Sequence, residues 1–170
     1  DIKVWDYSGP VGADPAQIGK AVKIRGTVSE FKGAPQITVA LIRMAETTDV
    51  YDVSNLVPVA PIDTEAALED VRGLISSMTD SDYRRVAETM LERHLEAFRK
   101  IPAAKSVHHS FLSGLLMHTG NMLKAADFLS RLYSNVIDRS LLLTGTLLHD
   151  MAKEREFVFS DLGIVTEYST

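Results

Sequence analysis

The chain has 170 residues, of which 45% are hydrophobic and 24% are charged, as expected of a folded globular protein. Its formal net charge of -5 at pH 7 argues against a protein that coats nucleic acid with its whole surface, although local basic patches are compatible with it. Because the sequence contains no cysteine, disulfides and thiolate metal sites are excluded, and any metal must be bound by nitrogen and oxygen ligands.

Residues 1–45 show the two-residue alternation of apolar and polar side chains that is typical of β-strands. The segments DIKVWDY and KAVKIRGTVSEF both alternate in this way, and a third strand is predicted from about Gln36 after a turn at 32–35. Gly26 interrupts the second segment, where a glycine often marks a bulge or a tight bend. Three strands are too few to close a barrel, and the chain begins inside a strand at Asp1, so we expect partner strands upstream.

The chain becomes irregular between Ala45 and Pro61, a stretch that also contains Pro58 and reads as a linker. We therefore predict a β domain with its linker over residues 1–58 and a helical domain over residues 59–170.

Four helices are predicted in the second domain, because the apolar residues change to helical spacing there. Asp63 or Thr64 caps the first helix, the second begins within TDSD and continues through Phe98, and the fourth is capped near Asp138. Residues 157–168 read as strand-like or irregular. The predicted apolar stripes are Phe111, Leu115, His118, Met122, Ala125, Leu129 and Leu132 on the third helix, and Leu142, Gly145 or Thr146, His149 and Ala152 on the fourth.

His118 and His149 both lie on these predicted inward faces. A single histidine in such a place is more often a core residue bonded to a carbonyl group. Two of them on neighbouring helices, with Asp150 beside the second, supply three ligands suited to a divalent metal ion. Successive helical residues diverge by about 100°, so His149 and Asp150 reach one ion only from opposite sides of the helix seam. Their place at a helix end makes this easier.

Two further residues flank this candidate metal site, and each has two interpretations. His109, which follows His108 before the third helix, either caps the helix or faces solvent, or binds phosphate or transfers a proton at the mouth of the site. Lys153, about one turn after His149, is either a favourable cation at a helix C-terminus or a phosphate contact.

The β segment carries a local excess of positive charge inside the acidic chain. Phe31, Trp5 and Tyr7 offer aromatic rings beside this charge, as in grooves that bind single-stranded nucleic acid. The alternative is an ordinary solvated strand face with aromatic residues in the core. We predict that Lys23, Arg25, Phe31 and Lys32 bind nucleic acid. The basic residues between Gln17 and Ala45 are Lys20, Lys23, Arg25, Lys32 and Arg43, against the single acidic residue Glu30.

The segments PAAKSVHHSFLSGLLMHT and LLLTGTLLHDMAKEREF resemble the HD-domain phosphohydrolases and, in more detail, the YhaM-type 3′-to-5′ exoribonucleases. In those enzymes an OB-fold precedes the HD domain, and GKAVKIRGTVSEFKGAPQITV resembles the last strands of an OB-fold. The resemblance implies an α+β fold, in which partial OB-like β-barrel strands over 1–58 precede an all-α HD-domain helical bundle over 59–170. Further ligands are expected beyond Thr170, so the HD domain is expected to be C-terminally incomplete.

The resemblance also implies roles for individual residues. It makes His118, His149 and Asp150 the metal ligands, with Mn²⁺ as the ion and Mg²⁺ as the alternative. It gives His109 and Lys153 phosphate-facing or proton-handling roles.

The predicted function is that of a divalent-metal-dependent 3′-to-5′ exoribonuclease or phosphodiesterase acting on single-stranded RNA or DNA. The alternatives are an HD-domain enzyme that hydrolyses a nucleotide or cyclic dinucleotide, and a non-catalytic regulatory protein that binds nucleic acid. No segment resembles a signal peptide or a membrane span, so a cytoplasmic protein without a membrane partner is expected. An open β edge and apolar helix stripes are compatible with a homo-oligomer.

Overall fold

The computed structural model describes residues 19–106 and 109–169. These residues form a mixed α+β structure with two separate two-stranded antiparallel sheets. The predicted strand around Trp5 and Tyr7 lies outside the described residues. The elements in chain order are β1 (Val22–Phe31), β2 (Ala34–Met44), α1 (Thr64–Ser76), α2 (Ser81–Arg93), α3 (Leu95–Lys100), α4 (Gly114–Leu132), α5 (Arg139–Leu148), α6 (Lys153–Glu156), β3 (Phe157–Phe159) and β4 (Val165–Tyr168).

The hairpin of β1 and β2 closes through a two-residue turn at Lys32 and Gly33. Both residues have positive φ, 54° and 78°, which matches the twist of tight hairpins. The predicted turn at 32–35 was too long, because Pro35 already pairs with Glu30 in the sheet. The register shifts between Arg25 and Gly26, which confirms the predicted bulge.

The two faces of this hairpin differ in character. Alternation and register place Lys23, Arg25 and Arg43 on one face. Ser29 and Gln36, whose side chains are hydrogen-bonded to each other, lie on that face as well. Among the described residues of the opposite, apolar face, only Ile42 is buried. The apolar face comprises Val22, Ile24, Val28, Ile37, Val39, Ile42 and Met44.

Three aspartates start α1, α2 and α5, as the sequence predicted. Asp63 accepts hydrogen bonds from the backbone N–H groups of the first turn of α1, and Asp80 does the same for α2. Asp138 accepts the N–H of Leu141 at the start of α5. Each carboxylate satisfies donors that have no partner inside the helix, and this fixes where the helix begins.

The helical core lies between α1, α2, α4 and α5, which contact one another in several pairs. Apolar side chains from all four helices meet there, and α3 adds Phe98. The segment before α4 is held by residues 58–60, because the Leu112 N–H donates to the Pro58 carbonyl and the Ala60 N–H to the Leu112 carbonyl. The division into two domains at residue 58 stays a prediction. The largest fully buried core residues are Leu68, Ile75, Met78, Leu91, Phe98, Leu115, Leu116, Leu123, Leu143 and Leu147.

The predicted second helix is divided at His94, whose backbone dihedrals leave the helical region. A tertiary contact accompanies this break in the helix, because His94 Nδ1 is 2.6 Å from Glu154 Oε1. Glu154 follows the predicted metal ligands in the sequence. This bond orients the ring across the helix junction.

The predicted stripe of the third helix was right at Leu115, which is buried, but wrong from Met122 onward. Leu116, Thr119 and Leu123 face the core, whereas Met122 and Leu129 of the predicted stripe are exposed. Helix α4 carries apolar side chains around most of its surface, so periodicity alone favoured a stripe displaced by one residue, about 100° around the axis. Ala125 and Leu132 are also exposed. Helix α4 begins at Gly114 rather than near Phe111, and α5 ends at Leu148, so Ala152 lies beyond it in an exposed turn.

None of the helices in the described ranges combines the length and the apolar character needed to cross a membrane.

Candidate metal centre

The candidate metal centre lies where the end of α5 meets the beginning of α4. His118 is on the second turn of α4, and His149 is the C-cap of α5, with its backbone N–H bonded to the Gly145 carbonyl at 3.0 Å. The chain then turns tightly around buried Met151, whose N–H donates to the Leu148 carbonyl. Because α5 ends at Leu148, His149 and Asp150 both lie in this turn, and their side chains face the same side.

The three predicted ligand residues converge in the structure. His149 Nε2 lies 3.3 Å from His118 Nε2 and 3.3 Å from Asp150 Oδ2. Asp150 Oδ2 is 3.7 Å from His118 Nε2. Among the described residues, these three form the one group of histidine and carboxylate side chains with ligand atoms close enough to hold an ion, all within 4.8 Å.

A backbone contact orients the His149 ring. Its Nδ1 lies 2.6 Å from the carbonyl oxygen of Thr146. A carbonyl can only accept a hydrogen bond, so Nδ1 carries a proton and Nε2 is the ring nitrogen directed at His118 and Asp150. Histidines that bind metals are commonly oriented by such a bond from the other ring nitrogen.

The spacing of the donor atoms fits one divalent ion. Two atoms that lie about 2.0–2.2 Å from a common ion, at angles of about 90–110°, are about 2.8–3.6 Å apart. The separations of 3.3, 3.3 and 3.7 Å are close to this range. Two imidazole nitrogens and a carboxylate oxygen are ligands that Mn²⁺ accepts, and the carboxylate also suits Mg²⁺.

His109 lies beside this group but is not one of its three members. Its ring centroid is 5.3 Å from that of His118 and 5.6 Å from that of Phe111. The residue has a φ of 56°, in the left-handed region, and its carbonyl accepts the Ala103 N–H at 3.0 Å. His108, by contrast, lies outside the described residues. The interpretation of His109 as a residue at the mouth of the site therefore has the required proximity, and its chemical role stays a prediction.

Gly114 is a residue that the sequence interpretation missed. A Cβ atom at this position would overlap with the carbonyl oxygen of His109, so only glycine allows the loop to close against the start of α4. A glycine at the start of an apolar helix, in FLSGLL, was the available signal.

Lys153 does not lie at a helix C-terminus, so that interpretation was wrong. It begins α6, and its Nζ lies 3.0 Å from Glu156 Oε2 and 5.0 Å from the centroid of the Phe157 ring. The reason is that α5 stops at Leu148, which places Lys153 in the next element. A phosphate contact by Lys153 stays a prediction, and it would compete with Glu156.

The predicted nucleic-acid residues lie on the β1–β2 hairpin, and one acidic residue alters their charge balance. Asp49 binds both Arg43 and Lys23, with closest N–O distances of 2.6 Å. Hydrogen bonds from Arg43, the Glu46 N–H and Lys23 hold the pKa of Asp49 far below its usual range, so it stays ionised. The same contact raises the pKa of Arg43. The local positive excess is therefore smaller than the sequence between residues 17 and 45 indicated.

The other predicted nucleic-acid residues are accessible. Arg25 and Lys32 are exposed, and the Lys32 Nζ lies 5.4 Å from the centroid of the Phe31 ring. Phe31 itself is 58% exposed, which leaves most of its surface available for stacking. Phe31 shares its face of the hairpin with Lys23 and Arg25.

Comparison with known proteins does not identify a family or a function for this site. No family model matches the sequence, and no solved structure matches the fold.

Proposed function

We propose that the protein is a divalent-metal-dependent phosphodiesterase that acts on single-stranded nucleic acid. The observation that carries the proposal is the convergence of His118 Nε2, His149 Nε2 and an Asp150 carboxylate oxygen within 4.8 Å. The 3′-to-5′ exonuclease direction, and a fold of OB-like strands followed by an HD-type bundle, are proposed from the resemblance of HHSFLSGLLMHT and HDMAKE to that enzyme family. The mixed α+β organisation is compatible with this fold.

His118, His149 and Asp150 would hold Mn²⁺ or Mg²⁺. When bound, such an ion supplies positive charge that polarises a phosphoryl oxygen and acidifies water. Thr146 keeps the His149 ring in the tautomer with a free Nε2, because its carbonyl binds the Nδ1 proton. The Asp150 carboxylate contributes the negative charge that two neutral imidazoles lack.

Two neighbouring residues would act on the phosphate itself. His109 would hold or release a proton at a phosphate oxygen, and its ring distance of 5.3 Å from His118 supports this role. Lys153 would release its ion pair with Glu156 when substrate binds, and its positive charge would then neutralise a non-bridging phosphate oxygen. The exposed Arg25, Lys32 and Phe31 would bind the rest of the strand on the hairpin.

A second candidate is an HD-type enzyme that hydrolyses a nucleotide or a cyclic dinucleotide. The neutralisation of Lys23 and Arg43 by Asp49 favours it, because a small substrate has no need of a basic hairpin. This candidate predicts that Arg25→Gln and Lys32→Gln leave turnover unchanged, whereas the exonuclease loses affinity for long strands.

The assay that tests the proposal uses 5′-labelled single-stranded RNA and DNA with the full chain, with and without Mn²⁺. We expect a ladder of products shortened from the 3′ end, which His149→Ala and Asp150→Ala abolish. Asp82→Ala serves as the control, since Asp82 is an exposed carboxylate on α2 that pairs with Arg85. Full activity of His149→Ala or Asp150→Ala, or no cleavage by the unchanged protein, contradicts the proposal.

A further inference from the structure

We propose that four side chains beside the candidate metal centre form a subsite for a single-stranded nucleic acid. This subsite binds the nucleotide next to the cleaved phosphodiester bond. The four residues are Lys153, Phe157, Tyr168 and Lys105, and we call them the lysine–aromatic strip. In this subsite Tyr168 stacks on a base and Lys105 binds the adjoining phosphate. The inference rests on the proposed function, because it assigns to the same site a surface for a single-stranded substrate.

The strip starts directly beside the cluster. The Lys153 backbone N–H donates to the carbonyl of Asp150 at 3.1 Å, and its Nζ is 5.0 Å from the Phe157 ring centroid. The Phe157 and Tyr168 rings meet edge to face with centroids 5.6 Å apart. Lys105 Nζ lies 5.6 Å from the centroid of Tyr168. Each side chain therefore lies next to the following one in the row.

Lys105, at the far end of the strip, is close in sequence to the candidate metal centre. Lys105 lies in the segment between α3 and α4 that also contains His109, whose ring is 5.3 Å from that of His118. On the other side, Phe157 and Tyr168 are paired residues of β3 and β4. The Ser169 N–H also donates to the Glu156 carbonyl at 2.7 Å. The strip is thus joined to the candidate metal centre by the Lys153–Asp150 hydrogen bond at one end, and its other end lies close in sequence to His109.

The exposure of the strip suits a binding surface rather than a core. Phe157 is only 5% exposed and forms its base, whereas Tyr168 is 55% exposed and Lys105 is exposed. Lys105 makes no ion pair in the described ranges, whereas Lys153 is paired with Glu156. The Tyr168 ring can stack on a base, and the neighbouring Lys105 ammonium group can bind a phosphate. Together they match the two parts of a nucleotide.

The basic hairpin adjoins the same region. A Cβ atom on Gly19, just before β1, would overlap with the side chain of Ser160, which follows β3. The Ser160 N–H in turn donates to the Ile164 carbonyl within the β3–β4 hairpin. The start of β1 therefore lies beside the turn of the β3–β4 hairpin, whereas Phe31 is at the opposite end of β1.

Binding of a labelled single-stranded oligoribonucleotide, measured by fluorescence anisotropy without added metal, tests the strip. Tyr168→Leu retains an apolar side chain against Phe157 but removes the aromatic face, so we expect Kd to rise about tenfold. Tyr168→Phe should stay within about twofold, because it keeps the ring. Lys105→Gln should reduce the slope of log Kd against log salt by about 0.7, the loss of one phosphate contact.

Tyr133→Leu is the matched control. Tyr133 is 51% exposed, similar to Tyr168, but it follows the last residue of α4, about 22 Å along the helix axis from His118. Equal Kd values for Tyr168→Leu and Tyr133→Leu, or an unchanged salt slope for Lys105→Gln, overturn the proposal. Lys105 is exposed, so its replacement tests the strip even if Tyr168→Leu fails to fold.

The design separates this inference from the proposed function. Because the binding assay contains no metal, a protein that binds through Tyr168 and Lys105 but never cleaves would refute the phosphodiesterase and support the strip. A protein that cleaves in Mn²⁺ with Kd independent of both residues would refute the strip alone.

Discussion

His149 Nδ1 lies 2.6 Å from the carbonyl oxygen of Thr146, one turn earlier on α5. The bond requires a proton on Nδ1, which leaves Nε2 as the atom directed at His118 and Asp150. Since a backbone carbonyl provides the acceptor, the helix end itself orients the ring. His149 Nε2 is therefore oriented for metal binding before any ion binds.

This bond predicts the tautomer of His149 in the metal-free protein. At about pH 8.5, where free imidazoles are neutral, we expect the Nδ1-protonated form, which is the minor tautomer of unconstrained histidine side chains. Nitrogen-15 NMR of the ring distinguishes the two forms, and His149→Ala identifies the signals. Finding the proton on Nε2 would contradict the arrangement.

Gly114→Ala should destabilise the fold by about 1–3 kcal/mol, because the new methyl group overlaps with the His109 carbonyl. Gly120→Ala, on the same helix, is the matched control, since its nearest neighbour would be a Val71 methyl group at 3.8 Å. Alanine there should be neutral or stabilising by up to about 1 kcal/mol. Urea unfolding at pH 7 measures both changes, and equal effects would show that the loop does not need Gly114.

Asp127 provides a pH-dependent contribution to stability. Burial raises the pKa of its carboxyl group, but hydrogen bonds from Arg131 and Arg139 outweigh this effect and leave the pKa below its usual value. A group with a lowered folded-state pKa stabilises the fold above its unfolded-state pKa, and this stabilisation is lost as the pH falls through the folded-state pKa.

We therefore expect Asp127→Asn to reduce the free energy of unfolding by about 1–3 kcal/mol at neutral pH. The difference from the unchanged protein should shrink in acid, below about pH 4. Urea unfolding across this range provides the test. A constant difference at every pH would mean that the ionised carboxylate makes no contribution.

Asp49→Asn tests whether the basic hairpin binds nucleic acid. It removes the charge that holds Lys23 and Arg43, so we expect oligonucleotide binding to tighten by about threefold, the strength of one weak ion pair, with a steeper salt dependence. Asp52→Asn makes the same change in net charge but contacts Ser54 instead of the hairpin. Identical affinities for the two variants would indicate a general charge effect and count against the hairpin.

Local features of the sequence predicted the helix starts and the ligand residues. Asp63 and Asp138 cap their helices through neighbouring backbone groups, so the adjacent sequence suffices to identify them. His149 and Asp150 were recognisable because a His–Asp pair is unusual at the end of an apolar helix. That the two converge with His118 required the packing of α4 against α5, which the pattern only indicated.

Contacts between distant segments were not predictable from the sequence. The His94–Glu154 bond joins residues far apart in the chain, and neither has a local pattern that identifies the other. The pairing of Lys23 with Asp49 likewise depends on how the chain folds back after β2. The exposed side of α4 was misassigned because its apolar residues surround the helix, and only the packing of α1 and α5 determines which of them are buried.

Titration of the full chain with Mn²⁺, followed by calorimetry and electron paramagnetic resonance, tests the central claim most directly. We expect one bound ion, with affinity reduced at least about tenfold by His118→Ala, His149→Ala or Asp150→Asn. Asp82→Asn, a carboxylate outside the cluster, should bind as the unchanged protein does. No saturable binding, or equal binding by the three cluster variants and the control, would contradict it.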